Sequence, residues 1–245
     1  QAPSSFPQQE AARLSRLMRL SKRIYALANN VIDGHSIADI GTDHGYVPMI
    51  LIKQGRSPHV IMSDISEGSL AKARETFAVC KLEDRVSESD FRIGDGLHTI
   101  ETAEVDELII AGLGGHTIRS ILADDERKSK SFRRLILQPR KHSGTLRYYL
   151  YTHGWDIEGE NLAEEGKFAC EIITAVPSGE SVRTAAYPED DIRWKYPESI
   201  IYADPRLALN RIRWKISSLE EQEANLSSAD GIARSEERRV GKECR

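Results

Sequence analysis

Residues 155–176 read WDIEGENLAEEGKFACEIITAV. Residues 155–162 and 168–176 are both extended candidates, and only AEEGK separates them. Five residues cannot hold the crossover helix that parallel neighbours need, so the pair is expected to be an antiparallel hairpin. Upstream the pattern changes. Apolar runs at 36–40, 59–64, 91–94, 105–111 and 134–138 alternate with helix-like stretches at 47–54, 68–81, 117–124 and 144–153. This alternation predicts a parallel sheet with helices on both faces. VDELIIAG and RRLILQP are apolar almost throughout, as central parallel strands are. Residues 13–30 are expected to form an amphipathic helix, because Leu14, Leu17, Leu20, Ile24, Leu27 and Ala28 recur at spacings of three and four.

Length and composition narrow the class. A chain of 245 residues suits one large domain, or one domain with a small appendage. With 40% hydrophobic and 29% charged residues it reads as a soluble globular protein. No apolar run approaches the roughly 20 residues of a membrane span. The opening QAPSSFPQQE has neither a basic start nor an apolar core, so residues 1–12 read as a disordered leader and not as a secretory signal. Cys80, Cys170 and Cys244 form no CxxC pair, which argues against zinc or a disulfide framework and fits a cytoplasmic protein. A formal net charge of −4 means that any nucleic-acid partner needs a local basic patch.

The first strand-to-helix turn, IADIGTDHGYVP over residues 37–48, separates two cofactor classes. A dinucleotide fold wants G-x-G-x-x-G, so that a pyrophosphate can reach the helix N-terminus. Here only Gly41 and Gly45 appear, with Asp43 between them, and a carboxylate there repels a diphosphate. S-adenosylmethionine carries no phosphate; its sulfonium and ammonium are cations that suit carboxylates. Asp39 is placed to accept from the ammonium, and Gly41 lets backbone approach the ligand. Asp64, followed by Ile65, ends the second strand about 20 residues on, where a carboxylate holds ribose hydroxyls. Asp95 and Gly96 follow the third strand, where Asp95 can accept from the adenine amine. Ala111 and Gly112 begin the bare run AGLGG after the fourth. A lone Asp at a strand end is more often a cap or turn residue. A row of them at successive strand ends is much less expected by chance, because open α/β sheets bind ligands along that edge. The doubly wound sheet with its antiparallel closing hairpin resembles the class I S-adenosylmethionine-dependent methyltransferases, a Rossmann-like α/β fold.

The elements LSKRIYALANNVIDG, ADIGTDHGYVP, GDGL, IAGLGG, LILQPR and GKFACEII, in this order, resemble the bacterial TrmK-type tRNA (adenine-22-N1)-methyltransferases over roughly residues 13–225. The resemblance implies a class I methyltransferase domain followed by a small helical, coiled-coil-like domain, and methylation of N1 of adenine 22 in tRNA. It places Asp39, Gly41, His44, Asp64, Asp95 and the Ala111–Gly112 pair on cofactor-binding motifs. The family typically reads QPN after the fifth strand, whereas this chain has Gln138-Pro139-Arg140.

N1 of neutral adenine already has a lone pair, so attack on the methyl needs no general base, and the product base is cationic. Asp43 is the candidate for electrostatic support of that charge. His44 is expected to pack against the cofactor, and Tyr46 is a candidate stacking partner for a base. A paired N1 is inaccessible, so the RNA must open or flip its base. Three basic clusters are candidates for phosphate contact: Arg16, Arg19, Lys22 and Arg23; residues around the fifth strand including Lys128, Arg133, Arg134, Arg140 and Lys141; and Arg206, Arg211, Arg213 and Lys215. The domain reading is 1–12 leader, 13–177 methyltransferase domain, 178–231 C-terminal helical domain and 232–245 tail. Within 205–226, Leu209, Ile212, Ile216, Leu219 and Leu226 mark a short coiled-coil seam, while the tail shows no helical period. Partners are tRNA, with no membrane and no metal; oligomeric state is open, with a monomer favoured. The alternatives are a methyltransferase of this fold acting on a small molecule, and a non-catalytic RNA-binding protein.

Overall fold

The computed structural model describes residues 20–166, 168–180 and 182–243. The leader and residues 13–19, with Arg16 and Arg19, lie outside the described residues. Of the stretch expected to be helical, the described residues form helix α1 (Lys22–Asn29), with Ser21 extended at its N-cap (φ −66°, ψ 155°). Then β1 (Ile37–Ile40), α2 (Tyr46–Lys53), β2 (Val60–Asp64), α3 (Glu67–Val79) and β3 (Phe91–Ile93) form the first half of the fold. The second half is β4 (Glu107–Leu113), α4 (Gly115–Asp124), α5 (Glu126–Ser129), β5 (Arg134–Pro139), α6 (Ser143–Thr152), β6 (Trp155–Glu165) and β7 (Phe168–Pro177). Helices α7 (Ile192–Lys195), α8 (Glu198–Ala203) and α9 (Pro205–Glu243) complete the described chain.

The seven strands form one sheet in the order β3-β2-β1-β4-β5-β7-β6. The first five are parallel to their neighbours; β7 runs antiparallel to both β5 and β6. Continuous apolar strands arise because both faces are covered. Ala38, Ile40, Ile61, Leu108, Ile110, Leu135 and Leu137 join the core on one face. Their alternating neighbours Ile37, Val60, Met62, Ile109 and Ile136 join that on the other. This is the period-two alternation of a strand, hidden in the sequence because both sides are apolar.

The hairpin is tighter than expected. Its ladder continues through Ala163↔Cys170, Glu164↔Ala169 and Glu165↔Phe168, well into the stretch expected to be the turn. The polar run at 163–165 is strand because its carboxylates have partners. Glu164 accepts from Lys22 and Arg206, and Glu165 from Arg23 at 2.8 Å.

Helices α8 and α9 pack on this hairpin, and α7 packs on α6. Beneath them Arg147 is fully buried; its Nε donates to Glu160 at 2.6 Å, Nη2 to Glu171 at 2.5 Å and Nη1 to the Trp194 carbonyl at 3.0 Å. Arg211 pairs with Glu171 from α9. Helix α9 seats Leu207 and Ala208, whereas Leu209, Ile216, Leu219 and Leu226 of the expected seam are exposed. Its backbone continues to Glu243, through residues that show no apolar period. Ala, Arg, Glu and Lys, which recur there, have high helix propensity.

Candidate cofactor and substrate site

The strand order reverses between β1 and β4, and ligands of open α/β sheets bind in the crevice at such a point. A cavity of about 460 Å³ opens there, along the carboxyl ends of the parallel strands. β1 and the loop after it supply Asp39, Gly41, Asp43 and His44 to its wall; the ends of β2 and β3 and the residues that follow supply Asp64, Ile65, Asp95 and Gly96. Ala111 and Gly112 come from β4, and Arg23 and Arg140 close the remaining sides. All nine residues expected to bind cofactor therefore meet in one cavity. Asp43 joins them. The RNA candidates divide: Arg140 is at the cavity, Lys141 is exposed beside it, and Lys22 is ion-paired with Glu164 on the surface.

Asp39 is 5% exposed, at the base of the cavity. Thr42 Oγ1 donates to its Oδ2 at 2.8 Å. Burial pushes its carboxyl up to about 6, against the Thr42 hydrogen bond and the charge of Arg23, with the Asp64 charge adding to the rise. A cationic ligand group here restores the carboxylate, whereas an anion meets repulsion. Asp64 is oriented by two backbone amides, Asp43 N–H on Oδ2 at 3.2 Å and Ser66 N–H on Oδ1 at 2.9 Å. Its carboxylate keeps acceptor capacity for hydroxyl groups. Gly41 has φ +74°, and a Cβ there would meet only Leu113 Cδ1, at 3.9 Å. Its bare face therefore opens toward the cavity. Asp43, also left-handed at φ 47°, is 55% exposed and ion-paired with Lys72 at 2.9 Å. The stacked His44 and Tyr46 rings, 4.9 Å apart and 2° from parallel, make a flat wall beside it.

Arg23, one of the expected RNA residues, lines the cavity: it is 14% exposed, and its Nε donates to Glu165 at 2.8 Å and its Nη1 to Gln138 at 3.4 Å. Gln138 is buried and its Oε1 also accepts from Gly112 N–H at 3.1 Å, so one side chain ties α1, β4 and β5 together. Gln138 was missed; in an apolar strand nothing but register reveals that it faces the rim. The other basic residues near β5 also divide. Lys128 donates to Leu97 O, Arg133 pairs with Asp106, and Arg134 with Glu158, all in structural contacts. Among the described residues no His, Cys, Asp or Glu group could hold a metal, and no helix is long and apolar enough to cross a membrane.

The residues fit S-adenosylmethionine: a buried carboxylate for its ammonium, an oriented one for its ribose and a third at Asp95 for its adenine. The family described as "Methyltransferase domain" matches residues 20–173. Sheet order, cavity and family match together define an S-adenosylmethionine-dependent methyltransferase of the class I fold. The chain is 34% identical over 170 residues to the tRNA (adenine(22)-N(1))-methyltransferase of Bacillus subtilis (strain 168), covering 69% of each. The crystal structure of the B. subtilis m1A22 tRNA methyltransferase TrmK superposes with a TM-score of 0.59 at 32% identity, over 66% of this chain and 68% of that one. Streptococcus pneumoniae Sp1610 in complex with S-adenosyl-L-methionine gives 0.70 at 26% identity, over 84% and 91%. The protein belongs to the tRNA (adenine(22)-N(1))-methyltransferase family.

Proposed function

We propose that this protein methylates N1 of adenine 22 in tRNA, in the cytoplasm. The observation that carries the reading is the carboxylate-lined cavity of Asp39, Asp64 and Asp95 in a chain 34% identical to an enzyme named for that reaction. Bound there, S-adenosylmethionine supplies an activated methyl on a cationic sulfur. Asp39 holds the ammonium, Asp64 the ribose and Asp95 the adenine of the cofactor. Ala111 and Gly112 leave bare backbone beside which the target base can lie. No group has to remove a proton from N1, so the protein acts by alignment and by electrostatics. Asp43 faces the cavity and offsets the charge gained by the base. Its ion pair with Lys72 makes that contribution smaller than an unpaired carboxylate would give. The stacked His44 and Tyr46 rings offer a face for an extruded base. The test combines purified protein, labelled cofactor and unmodified tRNA, followed by primer extension across the product. Label in tRNA and a stop at adenine 22 are expected. Folded, cofactor-binding protein that leaves tRNA unlabelled would reject the proposal.

A further inference from the structure

We infer that Arg140 clamps a phosphodiester next to the target adenosine and so positions the base at the cavity mouth; this rests on the tRNA reading above. Arg140 directly follows β5, and its guanidinium reaches back over the end of β4. Its Nε and Nη2 lie 3.8 and 3.9 Å from the point that a Gly112 Cβ would occupy. The cation therefore borders the bare backbone where methyl and base must meet.

The loop that carries it is locked. Arg140 N–H donates to Leu113 O at 2.8 Å, and Gly115 N–H to Lys141 O at 2.7 Å. A Cβ on Gly115 would overlap the His142 carbonyl, so only glycine permits this approach. His142 is left-handed at φ 58°, and its ring lies 4.3 Å from that of His116. A non-glycine residue in that region persists where its surroundings over-determine it, and such positions cluster at ligand clamps.

The guanidinium itself is exposed and, among the described residues, makes no hydrogen bond or ion pair. The contrast with its neighbour is sharp, since Arg23 in the same cavity is held by both Glu165 and Gln138. Glu165 feels the charge of Arg140, yet its carboxylate is engaged by Arg23 and the Cys170 thiol.

Methyl transfer to N1 places a positive charge on the base. A bare guanidinium beside it opposes that charge by Coulomb repulsion. Neutralising Arg140 with an anion removes the opposition. The anions that arrive with the reactants are the RNA phosphodiesters and the carboxylate of the cofactor. We assign the phosphodiester, because Arg140 is exposed to solvent, from which the RNA backbone arrives, and its planar fork accommodates two phosphate oxygens.

The experiment is a double-mutant cycle on RNA binding. Arg140→Asn and Arg140→Lys are titrated with tRNA and, separately, with S-adenosylmethionine. The tRNA is either native or carries an uncharged methylphosphonate on one side of adenine 22. Arg140→Asn should weaken binding of native tRNA about tenfold and lower the salt slope by about one. Arg140→Lys should keep the slope and lose part of the affinity. One of the two methylphosphonates should cost the unmodified protein as much as Arg140→Asn does, and cost Arg140→Asn nothing further. Cofactor affinity should not move. Equal tRNA affinity in Arg140→Asn, fully additive losses, or a fall in cofactor affinity alone would overturn the assignment to phosphate. Failure of the unmodified protein to bind tRNA would instead reject the function proposed above.

Discussion

With the cofactor ammonium on Asp39, as proposed above, cofactor affinity should depend on pH. The Asp39 carboxyl titrates at about 6 in the free protein, and burial is the largest cause. The ligand ammonium needs the carboxylate. Below pH 6 binding must first expel a proton, so affinity should fall about tenfold per pH unit. Between pH 8 and pH 5 the loss should reach roughly tenfold, with close to one proton released per ligand bound at the acid end. Stability runs the other way. A carboxyl raised above its ordinary 3.8 contributes most below that value, and loses the contribution as pH rises through about 6. For this one group the free protein should be roughly 3 kcal/mol less stable at pH 8 than at pH 3. Asp39→Asn carries no titrating proton. It should bind cofactor at least about tenfold more weakly at pH 8, since a charge-assisted hydrogen bond is lost. Its affinity should then be nearly flat across the acid range, apart from titration of the cofactor itself. Calorimetric titration at four pH values, in two buffers of different ionisation enthalpy, reads both affinity and proton release. Affinity independent of pH in the unmodified protein, or an unchanged pH slope in Asp39→Asn, would refute the reasoning.

Two further substitutions probe the frame around the cavity. Gly41→Val puts a β-branched residue at φ +74° and directs its methyls into the cavity. It should cost roughly 1–2 kcal/mol of stability and abolish measurable cofactor binding; thermal melts and titration test both, and retained affinity contradicts the placement of the ligand. Arg147→Ala leaves Glu160 and Glu171 buried without their main cation. A loss of about 3–5 kcal/mol in urea unfolding is expected, and a loss under 1 kcal/mol would show that the network is not a buried charge cluster.

Much of the fold was legible because its signals are local. Apolar runs of strand length, helix-like spacers between them and the short AEEGK gap all lie within single segments. The acidic residues of the cavity were legible for the same reason. A strand end locates the rim of the sheet, so Asp39, Asp64 and Asp95 could be assigned to it from their places in the chain. Local signals failed where partners are remote. Residues 163–165 look like a polar loop until Lys22, Arg23 and Arg206 are seen to pair with their carboxylates. Arg23 reads as one basic residue of a surface cluster, yet Gln138, across the sheet, draws it into the cavity wall. Arg140 and Lys141 are neighbours of Arg134 in sequence, but the strand between them carries one end to the ligand rim and leaves the other beside Glu158. Sequence alone thus determined which elements form and which residues lie at the rim, because periodicity and spacing belong to single segments. Only the tertiary structure decided which charges are neutralised and which face the cavity, because that depends on atoms brought together from separate segments, more than 100 residues apart for the contacts of Arg23.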